Sequence, residues 1–109
     1  MDSHTEVLQK LIPGLVDILG ESIIRIILYG SVARGTQTDE SDVDIAVLVK
    51  SYTKDMHERM TDYIVDLELK YNKVLSVLLI DYEKFTEWEN VMPFYKNVKK
   101  EGIVLWPAA

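Results

Sequence analysis

The chain has 109 residues, a net charge of −6, 48% hydrophobic and 28% charged residues, and no cysteine. That length suits one core and leaves no room for a second substrate-binding domain of ordinary size, so residues 1–109 are expected to form a single domain. The missing thiols exclude a disulfide framework, a cysteine nucleophile and a sulfur metal site, and the negative charge argues against a face for nucleic acid, the one short basic cluster being Lys96 to Lys100.

Apolar residues at Val7, Leu8, Leu11, Ile12, Leu15, Val16, Ile18 and Leu19 recur with a helical period over about Thr5 to Leu19. Pro13 and Gly14 predict a kink or a division into two short helices, and Gly20 fits a C-terminal cap. No basic-then-apolar signal pattern opens the chain and no apolar run reaches the roughly eighteen residues of a membrane span, so a cytoplasmic location without membrane contact is expected.

Ile23 to Tyr29 is short, apolar and β-branched, as a buried strand requires, and it stops at Gly30. Ser31-Val32-Ala33-Arg34 can start a short helix whose free N–H groups suit phosphate oxygens, with the Ser31 hydroxyl beside them and Arg34 as a further positive charge. A polar loop, Thr36 to Ser41, leads to Asp42 and Asp44 at the start of a second apolar strand, Val43 to Val49. Residues two apart on a strand share a face, so the carboxylates converge, and such a pair is costly unless a cation sits between them. Magnesium accepts one or two carboxylates together with substrate phosphates, so a phosphate cradle faces a metal holder. Each half taken alone has an ordinary explanation, a Gly-Ser turn and a solvated strand entry.

Met56, Met60, Tyr63, Ile64, Leu67 and Tyr71 predict an amphipathic helix from Thr53 to about Tyr71, long enough to cross back over a sheet as the helix of a βαβ unit. His57 lies beside that stripe as a surface residue. Lys73 to Asp81 follows as a third strand, and its near-continuous Val, Leu and Ile predict burial on both faces, with Ser76 interrupting the run. Asp81 is expected to cap the next helix. A short helix through Trp88, another beginning at Pro93 and ending at Gly102, and a last strand Ile103 to Trp106 complete an α/β fold with a small mixed sheet packed with helices. Tyr82, Phe85, Trp88, Phe94, Tyr95 and Trp106 are read as packing aromatics, any of which is able to stack on a nucleobase.

Gly30-Ser31, ten intervening residues, then Asp42-x-Asp44 resembles the signature of the polymerase-beta-type nucleotidyltransferase superfamily, and the small size resembles its minimal, antitoxin-like branch. The resemblance implies magnesium-dependent transfer of a nucleoside monophosphate, AMP from ATP, with Asp42 and Asp44 as catalytic and metal-holding residues and Gly30, Ser31 and Arg34 on the triphosphate. It also implies a helical HEPN-domain toxin as partner and acceptor. In that family the third strand usually carries a third acid, and here that place falls on or near Ser76. Asp81 would be the acid under a shifted alignment, whereas Asp66 and Glu68, in the preceding helix, substitute poorly. The alternative is a weak or inactive nucleotide-binding module that restrains such a partner by direct contact. Acceptor, nucleotide preference and any homo-oligomer stay open.

Overall fold

A computed structural model describes residues 3–38 and 40–107; Asp39, in the polar loop, and the extreme termini lie outside the described residues. The element order is α1 (Ser3–Leu19), a 3₁₀ turn (Gly20–Ser22), β1 (Ile23–Tyr29), α2 (Gly30–Arg34), β2 (Val43–Val49), α3 (Lys54–Tyr71), β3 (Leu75–Asp81), α4 (Tyr82–Trp88), α5 (Pro93–Glu101) and β4 (Ile103–Trp106). The strands form one mixed sheet in the order β3-β2-β1-β4, in which β1 runs antiparallel to β2 and β4, and β2 runs parallel to β3. The expected βαβ unit is β2-α3-β3.

Alternation along the strands divides the apolar side chains between two layers. Val7, Leu11, Leu15 and Leu19 of α1 and Met56, Met60, Ile64 and Leu67 of α3 bury one sheet face, represented by Ile26, Leu28, Val43, Ile45, Val47 and Val49. Phe85 of α4 and Val98 of α5 cover Ile27, Ala46, Leu48 and Ile80 on the other. Cover on both sides explains why β1, apart from Arg25, and β2, beyond Asp44, read as apolar runs. Each fully buried Val, Leu or Ile contributes about 1.5–3 kcal/mol. The second layer is smaller, and on its face Leu78 of β3 stays exposed.

Three expectations change. Of the two alternatives at Pro13, division is the one that fails: α1 runs through it as one element. In the turn that Pro13 loosens, Tyr63 of α3 donates its hydroxyl hydrogen to the Lys10 carbonyl at 2.7 Å, and the Tyr63 ring occupies the place that a side chain at Gly14 would need. Secondly, β3 is an edge strand, buried mainly on the α1/α3 face, and Leu78 on its other face is 40% exposed. A Val/Leu-rich run cannot reveal whether a helix covers its second side. Thirdly, Trp88 is exposed, while Phe85 is buried and Phe94, though partly exposed, packs on Tyr29 and Tyr95.

The ends of α3 follow local rules: Thr53 Oγ1 accepts from Met56 N–H at 3.2 Å, and Asn72 leaves the helix at φ 52°. At the C-terminus of α5, Gly102 donates to Val98 O at 2.9 Å, and a Cβ on Gly102 would overlap both that carbonyl and Ile27 of β1. The carbonyl cannot retreat without opening the helix end. Gly102→Ala is therefore expected to destabilise the chain by about 1–3 kcal/mol, read as a lower denaturation midpoint.

Candidate functional site

The site is laid out by strand register. Tyr29, the last residue of β1, stands opposite Asp44 of β2, and Asp44 stands opposite Ser76 of β3. Directly paired residues project to the same face. Tyr29, Asp44 and Ser76 therefore form a row across three strands where β1 ends and β2 and β3 begin, on the face that α4 and α5 cover only in part. Asp42, two residues earlier than Asp44 and just outside β2, shares its parity and is exposed.

Gly30 brings the phosphate-type turn onto that row. Its φ is +76°, a conformation that costs a side-chain-bearing residue about 1–2 kcal/mol, and a Cβ there would overlap Asp44 Oδ2. Glycine is thus required twice, for the turn and for the approach to the carboxylate. Past it, Ser31 is partly buried, and the single turn of α2 closes at Gly35, with φ 74°, through Thr36 N–H to Ser31 O at 3.0 Å. Arg34, the last residue of α2, lies 3.5 Å from Glu101 in an ion pair open to solvent, a type worth at most about 1 kcal/mol and readily exchanged for another anion.

Electrostatics tie these groups together. Burial, then repulsion from Asp42, holds the Asp44 carboxyl above the usual carboxylate range, with Arg34 pulling the other way. The Tyr29 phenol is raised by burial and by the Asp44 charge. Among the described residues no group of three or more His, Cys, Asp or Glu is placed to hold a metal ion. Two hard, mutually repelling oxygen donors beside a cradle kept clear by glycine suit a magnesium ion whose remaining ligands come from a phosphate substrate and water.

Ser76 lies at the level of Asp44, on the neighbouring strand. Asp81 does not: it pairs with Val49 at the far end of the same ladder, on the opposite face of the strand by parity and roughly 16 Å away at about 3.3 Å per residue. It stands at the α4 N-cap but makes no side-chain capping bond there. Glu68 is occupied structurally, its Oε2 accepting from Leu75 N–H at 2.9 Å, while Asp66 and His57 sit on the exposed side of α3. Sequence reasoning overlooked Tyr29 and Glu101. Neither carries a local signal, since one is marked by register with Asp44 and the other by an ion pair across 67 residues.

The polymerase beta nucleotidyltransferase family model matches residues 14–108. The chain belongs to that family. As a nucleotidyltransferase it is 38% identical over 88 residues, 77% of its own length and 79% of the relative's, to a candidate protein adenylyltransferase of Methanocaldococcus jannaschii. Its fold is similar to that of a candidate minimal nucleotidyltransferase, with a TM-score of 0.59 at 23% identity, covering 94% of this chain and 95% of the other. It is also similar to a chain from a crystal structure of a toxin-antitoxin with AMP-PNP, with a TM-score of 0.60 at 20% identity over 92% of this chain and 73% of that one. The small mixed sheet and its helices are those of the minimal nucleotidyltransferases.

Two measurements probe the site of this nucleotidyltransferase. Gly30→Ala should lose about 1–2 kcal/mol of stability from the left-handed backbone alone and further stability from displacing Asp44, and magnesium-dependent ATP binding by calorimetry should fall with it. The second uses pH. Because the folded chain keeps the Asp44 proton where the unfolded chain has released it, this group favours folding most at low pH, and stability falls as pH rises through the raised value. Asp44→Asn should therefore melt at or above the wild-type temperature at neutral pH, with the gap closing below the ordinary carboxyl value of 3.8.

Proposed function

We propose that this nucleotidyltransferase moves AMP from ATP, with magnesium, onto a partner protein, as the antitoxin of a toxin-antitoxin pair whose toxin is a helical HEPN-type protein. The observation that carries the reading is the row Tyr29-Asp44-Ser76 with Gly30 closed against Asp44, because it brings the Gly30-Ser31 turn beside an acidic residue. Support for a protein acceptor comes from the candidate protein adenylyltransferase at 38% identity, and support for a toxin partner from the fold neighbour in a toxin-antitoxin structure.

In this reading the Gly30-Ser31 turn binds the β- and γ-phosphates through backbone N–H groups and the Ser31 hydroxyl, and Arg34 exchanges Glu101 for the triphosphate. Asp42 and Asp44 would hold the magnesium ion, which when bound offsets phosphate charge and increases the acidity of an attacking hydroxyl. The acceptor hydroxyl gives its proton to solvent water as its oxygen forms a bond to the α-phosphorus, the bond to the bridging oxygen breaks, and pyrophosphate leaves into the Gly30-Ser31 turn. Ser76 contributes a hydrogen-bonding hydroxyl but neither the charge nor the basicity of a carboxylate. That favours a second reading, a slow or inactive nucleotide-binding module that restrains its partner by contact.

Labelled ATP, magnesium and the candidate toxin distinguish the two: label on the toxin supports transfer, whereas tight binding without label supports the contact reading. Ser76→Asp should raise the transfer rate by about a hundredfold, since it adds a possible base beside Asp44. A folded variant with no gain would remove Ser76 from the chemistry.

A further inference from the structure

We propose that His4 is the positioning residue for Asp42, an inference that rests on the metal-holding role given to Asp42 above. Among the described residues His4, in the first turn of α1, is the buried polar or charged residue, 3% exposed. Its Nε2 lies 3.0 Å from the carbonyl oxygen of Ser41. A carbonyl only accepts, so Nε2 carries the hydrogen and donates. Filling this space alone would not call for an imidazole, because its neighbours along the buried side of α1, Val7 and Leu11, are apolar and a buried polar ring is unfavourable unless hydrogen-bonded. The bond to Ser41 explains the choice.

Ser41 is held on every side. Its N–H donates to Thr38 O at 3.0 Å, its Oγ accepts from Thr38 N–H at 2.9 Å, and its carbonyl accepts from His4. On the other side of Asp42, Val43 N–H donates to Val74 O at 3.0 Å. Asp42 itself lies outside β2 and is exposed, so its place is set by these two flanking anchors. The Val43 anchor belongs to the sheet and the Thr38-Ser41 bonds are internal to the loop. His4 adds a tie from the loop to the buried side of α1, across 37 residues of sequence.

The test uses the full chain with His4→Leu, which fills the buried space without a donor, and His4→Gln, whose side-chain amide donates at similar reach, alongside Asp42→Asn. ATP binding is titrated against magnesium and measured again in chelator, with melting temperature for each variant. His4→Leu is expected to fold and to need about tenfold more magnesium for half-maximal ATP binding, the loss usual when a group orienting a metal ligand is removed. Binding in chelator should be unchanged, and His4→Gln should return the magnesium requirement to within about twofold of wild type. A His4→Leu variant that does not fold, that keeps the wild-type magnesium requirement, or that is matched in its defect by His4→Gln overturns the assignment. If Asp42→Asn itself leaves magnesium-dependent binding intact, the ligand role fails and His4 falls with it. If Asp42→Asn abolishes that binding while His4→Leu does not shift it, the fault lies with His4 alone.

Discussion

The close seat of Gly30 against the Asp44 carboxylate constrains everything else at the site. A side chain at residue 30 would push the Asp44 carboxylate aside, and a chain unable to adopt φ near +76° would not turn from β1 into α2 at that point. Because Tyr29 is paired with Asp44 in the β1-β2 ladder, that seat is coupled to the sheet register. A slip of one residue would point Asp44 into the layer of α1 and α3, where a carboxylate has no partner. The apolar alternation of β2 therefore stabilises the fold and aims its one acidic residue.

The unequal cover of the two sheet faces gives the site its access. The α1/α3 layer is continuous, with side chains such as Val7, Leu11, Leu15 and Ile45 fully buried. The α4/α5 layer is smaller, resting on Phe85 and Val98, and on its face Asp44 and Ser76 are only partly buried. Phe94 of α5 meets the Tyr29 ring edge-on at 5.5 Å between centroids, so one border of the opening is aromatic. Arg34 lies at the same end and offsets part of the negative charge around Asp44.

Ser76 is the chemical departure that the register makes concrete. Serine beside Asp44 supplies a hydroxyl where a carboxylate would add charge and basicity, so in the proposed reading a cation would be held by two carboxylates only. Asp81 does not make up the difference from the far end of the strand, and Glu68 is engaged with the backbone of Leu75.

From sequence alone came the strand limits of β1, β2 and β4, the span of α3 and the Gly-Ser and Asp-x-Asp pairs, because each depends on local causes: β-branched runs, helical periodicity, a glycine stop and residue parity. Strand order was not legible, so β3 read as doubly buried when it is an edge; burial depends on what packs across a face, and that is decided by chain far away. Pro13 left a kink and a division of α1 open, because a local rule cannot register Tyr63 reaching over from α3. The acidic pair was visible, but its alignment with Tyr29 and Ser76, the ion pair of Arg34 with Glu101 and the tether from His4 to Ser41 exist only through contacts between distant segments. Parity tells which face a side chain takes. Only the packed sheet tells what stands beside it.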